Sequence, residues 1–419
     1  MEQKQWNDLR LLARAEECGR RDLPPRRLFA KGMVATGQFQ PYMTLQDYTS
    51  ADFLCDPYQI TPAVVRISLA AADSGAGDTS RDVRSFAVKL YTREGNCDLL
   101  SLSLPVGLCS SGDDFFALMD CIRPQQEEGI DDYCGYLRYA VQHPQALSGL
   151  LHLYGAQGIP GGYEAMESWS AGTALWRNRS GQLFFVRHRW VPEKEPVYLS
   201  ENEGEFLCGF DPDRCRRQLY SWLNEGRAAV YELRLQIIGE EEARGREQLL
   251  CDPAVAWHAE DGVQVRAGRL RLTEIPKDSL RINQLLCFSP DAVVCGMELA
   301  ENSFLHQMAL ILRTLQRARL GGLGTAAEVN RHIRRQRPLV EPTLTAVWGA
   351  DQAQPAEAVY RRQARAVWND MAPAQQQAVS RSIAQRLLFG AKQLQEPLLQ
   401  SFAAVDDSLA KQIEMELSF

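Results

Sequence analysis

The segment Thr61-Pro62-Ala63-Val64-Val65-Arg66-Ile67-Ser68, followed by Asp78-Thr79-Ser80-Arg81-Asp82-Val83-Arg84-Ser85-Phe86-Ala87-Val88-Lys89-Leu90-Tyr91, decides the fold class. Its β-branched and aromatic runs are too short for helices and are separated by Gly- and Asp-rich turns, which predicts strands of an antiparallel sheet from Arg27 to about Leu100. A second strand-rich block holds Gln182 to His188, Val230 to Ile237 and Gly268 to Leu272. Helices are predicted over Phe115 to Cys121 and Asp213 to Glu225. Upstream, Leu9, Leu12 and Ala13 share one face of a helix between Trp6 and Cys18, and Leu23-Pro24-Pro25 ends it before an extended arm. Pro338 to Pro355 has little periodicity and reads as a linker. Beyond it Val379, Ile383 and Leu387, then Leu398, Phe402, Val405 and Leu409, recur at helical spacing and mark core-facing helix stripes.

The 419 residues are 45% apolar and 24% charged, an ordinary globular make-up, and the formal net charge of −7 offers no broad basic field for nucleic acid or an anionic membrane. No apolar run approaches the length of a membrane span, and the polar start Met1-Glu2-Gln3-Lys4-Gln5-Trp6 is no signal peptide, so a soluble cytoplasmic protein is expected. The 11 cysteines are scattered and never spaced C-x-x-C, so reduced thiols and no metal cluster are expected.

The quoted strands, with Glu94-Gly95-Asn96-Cys97-Asp98-Leu99 after them, closely resemble haem catalases in order and spacing. Leu23-Pro24-Pro25-Arg26-Arg27-Leu28-Phe29-Ala30-Lys31-Gly32 resembles the arm that carries their distal histidine. Gly158-Ile159-Pro160-Gly161-Gly162, Arg317-Ala318-Arg319-Leu320-Gly321 and the helices from about Tyr360 to Ile413 fall where the family has similar strings. The resemblance implies an α+β fold: a catalase-like antiparallel eight-stranded β-barrel with a wrapping segment and a C-terminal helical domain, assembled as a homotetramer. The corresponding division is an N-terminal helix and arm at 1–30, the barrel core with helical insertions at 31–300, the wrapping segment and linker at 301–355, and the helical domain at 356–419.

The departures from the family bear on function. Where catalases carry the histidine that moves the peroxide proton, this chain has Phe29, which cannot titrate. Leu102 falls on the distal asparagine, with Ser103 beside it. The tyrosinate that ligates iron lies seven residues before the arginine matched by Arg319, which lands on Leu312, and no tyrosine occurs between Tyr231 and Tyr360. The arginine that supports that tyrosinate aligns with Met308. Peroxide dismutation is therefore not expected, and neither is haem as a cofactor.

What the resemblance retains is the anion-binding side. Arg26, Arg66 and Arg319 align with the arginines that neutralise the haem propionates, Ser68 with the distal-pocket serine, and Phe115, with Phe116 beside it, with the phenylalanine that stacks on haem. Three guanidinium groups converging on an apolar cavity call for an anion. The expectation is a haem-free catalase fold that binds an anionic small molecule in the former haem pocket and leaves open whether it transforms it. Two alternatives stand beside it. One is a haem protein with a changed axial ligand, His306 or a cysteine such as Cys287 or Cys295; the other is a pseudoenzyme with an assembly role. Trp257-His258 lies where catalases carry NADPH, but no peroxide intermediate needs rescue here and the nucleotide is not predicted.

Overall fold

The structure is a computed structural model that describes residues 23–71, 75–122, 134–331, 343–348, 355–389 and 392–418. The helix expected between Trp6 and Cys18 and most of the Pro338–Pro355 linker lie outside these residues.

Eight antiparallel strands close into a barrel: β1 (Gly32–Pro41), β2 (Thr61–Leu69), β3 (Arg84–Tyr91), β4 (Asn96–Leu102), the short β5 (Ser168–Ser170), β7 (Leu183–Pro192), β8 (Ala229–Gly239) and β9 (Val263–Glu274). Pairing of β9 with β1 and of β7 with β8 completes the ring. Two further strands, β6 (Ala174–Arg177) and β10 (Met297–Ala300), extend from β7, and β11 (Leu344–Thr345) runs parallel to β10. The last three barrel strands run longer than their apolar runs suggest, because arginines such as Arg187, Arg189 and Arg266 interleave with inward-facing residues.

The sequence of β2 explains where a site can form. Ala63, Val65, Ile67 and Leu69 face the barrel core, while Val64 joins a separate cluster outside the barrel with Val34, Ala87 and Phe288. Both faces are covered, so the strand reads as a continuous apolar run rather than an alternating one. Arg66 and Ser68 belong to this outer face. The register sets Arg66 opposite Ala87 and Val34, and Ser68 opposite Ser85 and Gly32; Leu100 and Leu102 of β4 then pair with Ala87 and Ser85. Gly32 has to be glycine: a Cβ there would stand 2.6 Å from the Ile67 carbonyl oxygen and 2.7 Å from Ser68 Cβ.

Helices pack against the barrel and against one another, on this outer face and elsewhere. They are α1 (Gly112–Ile122), α2 (Gly135–Gln142), α3 (Leu147–Tyr154), α4 (Glu201–Phe210), α5 (Arg214–Asn224), α6 (Ser279–Leu285) and α7 (Phe304–Leu320). The C-terminal helices α8 (Glu357–Asp370), α9 (Pro373–Phe389), α10 (Gln395–Ala403) and α11 (Asp407–Leu417) follow. Their stripe residues Ile383, Leu387, Leu398, Phe402 and Leu409 are fully buried in one core with Leu137, Leu147 and Leu151 of α2 and α3. Val405 lies in the turn between α10 and α11, where the Asp406 carboxylate accepts from the Ser408 N–H and starts the new helix. Among the described residues no helix is long and apolar enough to cross a membrane.

Candidate functional site

A cavity of about 640 Å³ lies on the outer face of the barrel. Its floor is the register just described, the row Arg66, Ala87, Leu100, then Ser68, Ser85, Leu102; just past the strand ends come Ala70, whose N–H donates to the Val83 carbonyl at 2.8 Å, and Leu104. The roof is α7, whose Leu305, Met308, Leu312, Leu315 and Arg319 recur at helical spacing along the cavity. Phe115, Leu118, Met119 and Ile122 of α1 form a third wall, and the arm contributes Arg26, Leu28 and Phe29. The roof is docked on that wall where Gln307 Oε1 accepts from the Gly112 N–H at 2.5 Å.

The fold brings Arg26, Arg66, Ser68, Phe115, Phe29, Leu102, Met308, Leu312 and Arg319 onto this one cavity. Phe116 stays outside it: one helical step from Phe115, it is 45% exposed and packs edge-on against the Phe115 ring at 5.9 Å.

The three arginines gather at the C-terminal end of α6. Arg26 Nη2 donates to the carbonyls of Asn283 (2.9 Å), Gln284 (3.1 Å) and Leu286 (2.6 Å). Arg66 Nε donates to Asn283 Oδ1 at 2.7 Å and its Nη2 to the Phe29 carbonyl at 2.6 Å. Arg319 Nη2 donates to the Gln284 carbonyl at 2.5 Å. Among the described residues none of the three forms an ion pair with a carboxylate; the compensation is carbonyl dipoles and the partial negative charge of a helix end. Burial and repulsion by Arg319 hold Arg26 down to about 10, and burial with repulsion from both neighbours pushes Arg66 well below the ordinary guanidinium range. Donors remain: no described residue accepts from Arg26 Nη1 or Arg66 Nη1. A concentration of like charge with spare donors is the electrostatic signature of an anion site.

Phe29 has φ +55°, a left-handed conformation that is strained for a bulky side chain. It is held because its N–H donates to the Ala70 carbonyl at 3.0 Å while its own carbonyl accepts from Arg66. Ser103 cannot stand in for Leu102. It is buried, and its hydroxyl accepts from the Arg84 N–H at 2.9 Å.

Some lining groups escape a reading of the sequence. Tyr136 of α2 faces the cavity and donates to Asp82 Oδ1 at 2.5 Å; burial, then the Asp82 charge, raise its phenol. Cys109 also lines the cavity, with a thiol that burial raises to about 12 and that accepts from Tyr139. Tyr136 and Asp82 are 54 positions apart, so no local motif marks the pair. The histidine alternative falls elsewhere. His306 sits in the first turn of α7, where Nδ1 accepts from the Asn302 N–H at 3.1 Å, and it does not line the cavity. His188 shares a 2.8 Å hydrogen bond with Ser101. That serine alternates with Leu100 and Leu102, which aims its side chain at the barrel interior, while the residue itself still borders the cavity. Cys287 lies beside Arg26 and Arg319, and Cys295 is exposed on another part of the barrel; neither lines the cavity. Trp257 is stacked under Arg187 at 4.7 Å and His258 is exposed.

The profile of the Catalase family matches residues 4–352. The chain belongs to the catalase family. Catalase isozyme A of Oryza sativa subsp. indica is 30% identical over 315 residues, which are 75% of this chain and 64% of that protein. Catalase-2 of Bacillus subtilis (strain 168) is 30% identical over 305 residues, 72% of this chain and 44% of that protein. The chain therefore spans between 44% and 64% of the length of these two relatives. A fungal catalase superposes with a TM-score of 0.89 at 23% identity, covering 98% of this chain and 91% of that one. Catalase A from Saccharomyces cerevisiae gives 0.89 at 21% identity, covering 98% and 93%.

The catalase family implies haem, and the cavity's donor set does not fit a ligated haem iron. Among the described residues no histidine lines the cavity, the one lining tyrosine is committed to Asp82, and the one lining thiol is held protonated and hydrogen-bonded. Facing Leu312, the roof offers only the Met308 thioether one turn away, with no cation to hold a phenolate.

Proposed function

We propose that this catalase-family chain has lost peroxide dismutation and stoichiometric haem and binds an anionic small molecule in the cavity between barrel and α7. One observation carries the reading: among the described residues, Arg26, Arg66 and Arg319 converge without a carboxylate partner on a cavity that no imidazole base and no free iron donor lines. The three cations raise the local concentration of an anion and give it charge-assisted hydrogen bonds. A cavity of about 640 Å³ is within the usual range for small-molecule sites and supports ligand binding over a collapsed pocket. The test is a pyridine haemochrome assay with an oxygen-electrode measurement on the purified protein. Well under one haem per subunit and no oxygen release from peroxide are expected; one haem per subunit or rapid oxygen release overturns the reading.

We also infer a homo-oligomer, in keeping with the tetramers of the catalase family. The stacked and exposed Phe206 and Phe210 on α4, at 67% and 77% exposure, are surface that assembly would cover. Light scattering that returned the 47.1 kDa of one chain would contradict it. We further infer reduced thiols and a cytoplasmic setting from the scattered cysteines, which are never spaced C-x-x-C.

A further inference from the structure

We propose that the ligand is an amphipathic monocarboxylate with an extended alkyl body, seated head to the arginines and tail along the β2–β3–β4 floor; this rests on the anion-binding reading above. The floor is graded. Its first row holds Arg66, its second two small hydroxyls, Ser68 and Ser85, and past the strand ends come Ala70, Val83 and Leu104. Ala70 directly follows β2, four residues past Arg66 and still hydrogen-bonded to Val83, so the trough below the guanidinium is roughly 13 Å long at about 3.3 Å per residue.

The roof and wall repeat the gradient. Arg319 stands at the C-terminal end of α7, while Leu315, Leu312, Met308 and Leu305 run back from it over the trough. Leu118, Met119 and Ile122 close the wall. The small side chains at Ser68, Ser85, Ala70 and Ala87 keep the floor low enough for a chain to lie on it.

A compact polar anion would satisfy the arginines and leave this apolar length wetted. An alkyl carboxylate fills both parts, since the head replaces water at the spare guanidinium donors and each methylene leaves water for the trough. Transfer of one methylene tightens binding about fourfold. Tyr136, held by Asp82 beside Val83, marks the polar limit of the apolar end.

The test is isothermal titration calorimetry of the full chain with acetate, octanoate, decanoate and dodecanoate, with decanol as the uncharged control. The expected result is affinity rising about fourfold per methylene from octanoate to dodecanoate, with decanol at least tenfold weaker than decanoate. Arg66→Gln should weaken decanoate ten- to a hundredfold. Ala70→Trp keeps all three arginines and blocks the far end, so it should cost dodecanoate at least tenfold while sparing octanoate, which keeps the proposal testable if Arg66→Gln does not fold. Arginine-dependent binding with no dependence on chain length would overturn the alkyl body and leave the anion reading standing. No arginine-dependent binding of any of these anions would overturn both. Haemin bound one per chain that decanoate fails to displace would also overturn the proposal.

Discussion

Replacing Arg26 by methionine asks whether the guanidinium cluster is built for a ligand or for the fold. In the ligand-free protein, burial and the Arg319 charge bring Arg26 down to about 10. At 1.36 kcal/mol per pH unit of displacement, keeping Arg26 charged costs about 3 kcal/mol. Against this stands one donor, Nη2, shared among the carbonyls of Asn283, Gln284 and Leu286, and a charged hydrogen bond contributes about 1.5–3 kcal/mol. The two nearly cancel. Arg26→Met should therefore change the stability of the ligand-free protein by less than about 1 kcal/mol, while weakening the anionic ligand ten- to a hundredfold.

Arg84 supplies the contrast. It is fully buried, and its two Nη groups donate to the carbonyls of Asp78, Ser80, Asp82 and Gly158. Arg84→Met strands those carbonyls in the interior and should cost at least about 3 kcal/mol. Urea unfolding in a zwitterionic buffer free of small anions, followed by circular dichroism, reads both. If Arg26→Met proves as damaging as Arg84→Met, Arg26 is a structural strut and not a cation held for a ligand.

Phe29→His with Leu312→Tyr should not restore oxygen release from peroxide, because Met308 leaves a phenol at 312 without a cation to ionise it; measurable dismutation by the double variant would contradict this. Unfolding free energy should fall as the pH drops from 7 to 5. Burial holds His188 at about 4, below the ordinary value near 6.5, so in this window the unfolded chain binds the extra proton and His188 alone removes about 1–2 kcal/mol by pH 5. A stability profile that is flat over that range, or that is unchanged in slope by His188→Gln, would show that the ring is not held neutral.

Much of the architecture is legible in the order of residues, because strands and helices are local patterns. The floor strand stands out as an unbroken run from Thr61 to Ser68, and the C-terminal stripes through Val379 to Leu409 lie in the core they imply. The absence of an acid–base side chain at Phe29 and of an iron donor at Leu312 is likewise a statement about residue type. Closure of the barrel is not legible: it depends on the three-residue β5 and on pairing of β7 with β8, contacts between segments too short or too far apart to leave a local signal. Only tertiary structure could choose Phe115 over Phe116, since adjacent residues on a helix point about 100° apart and the packing of α1 decides which faces the cavity. Only tertiary structure could bring Arg26, Arg66 and Arg319 to the end of α6, or set Tyr136 on Asp82. The sequence determined which chemistries the chain can offer; the fold decided which of them meet, because distances across a cavity are set by strand register and helix docking rather than by separation along the chain.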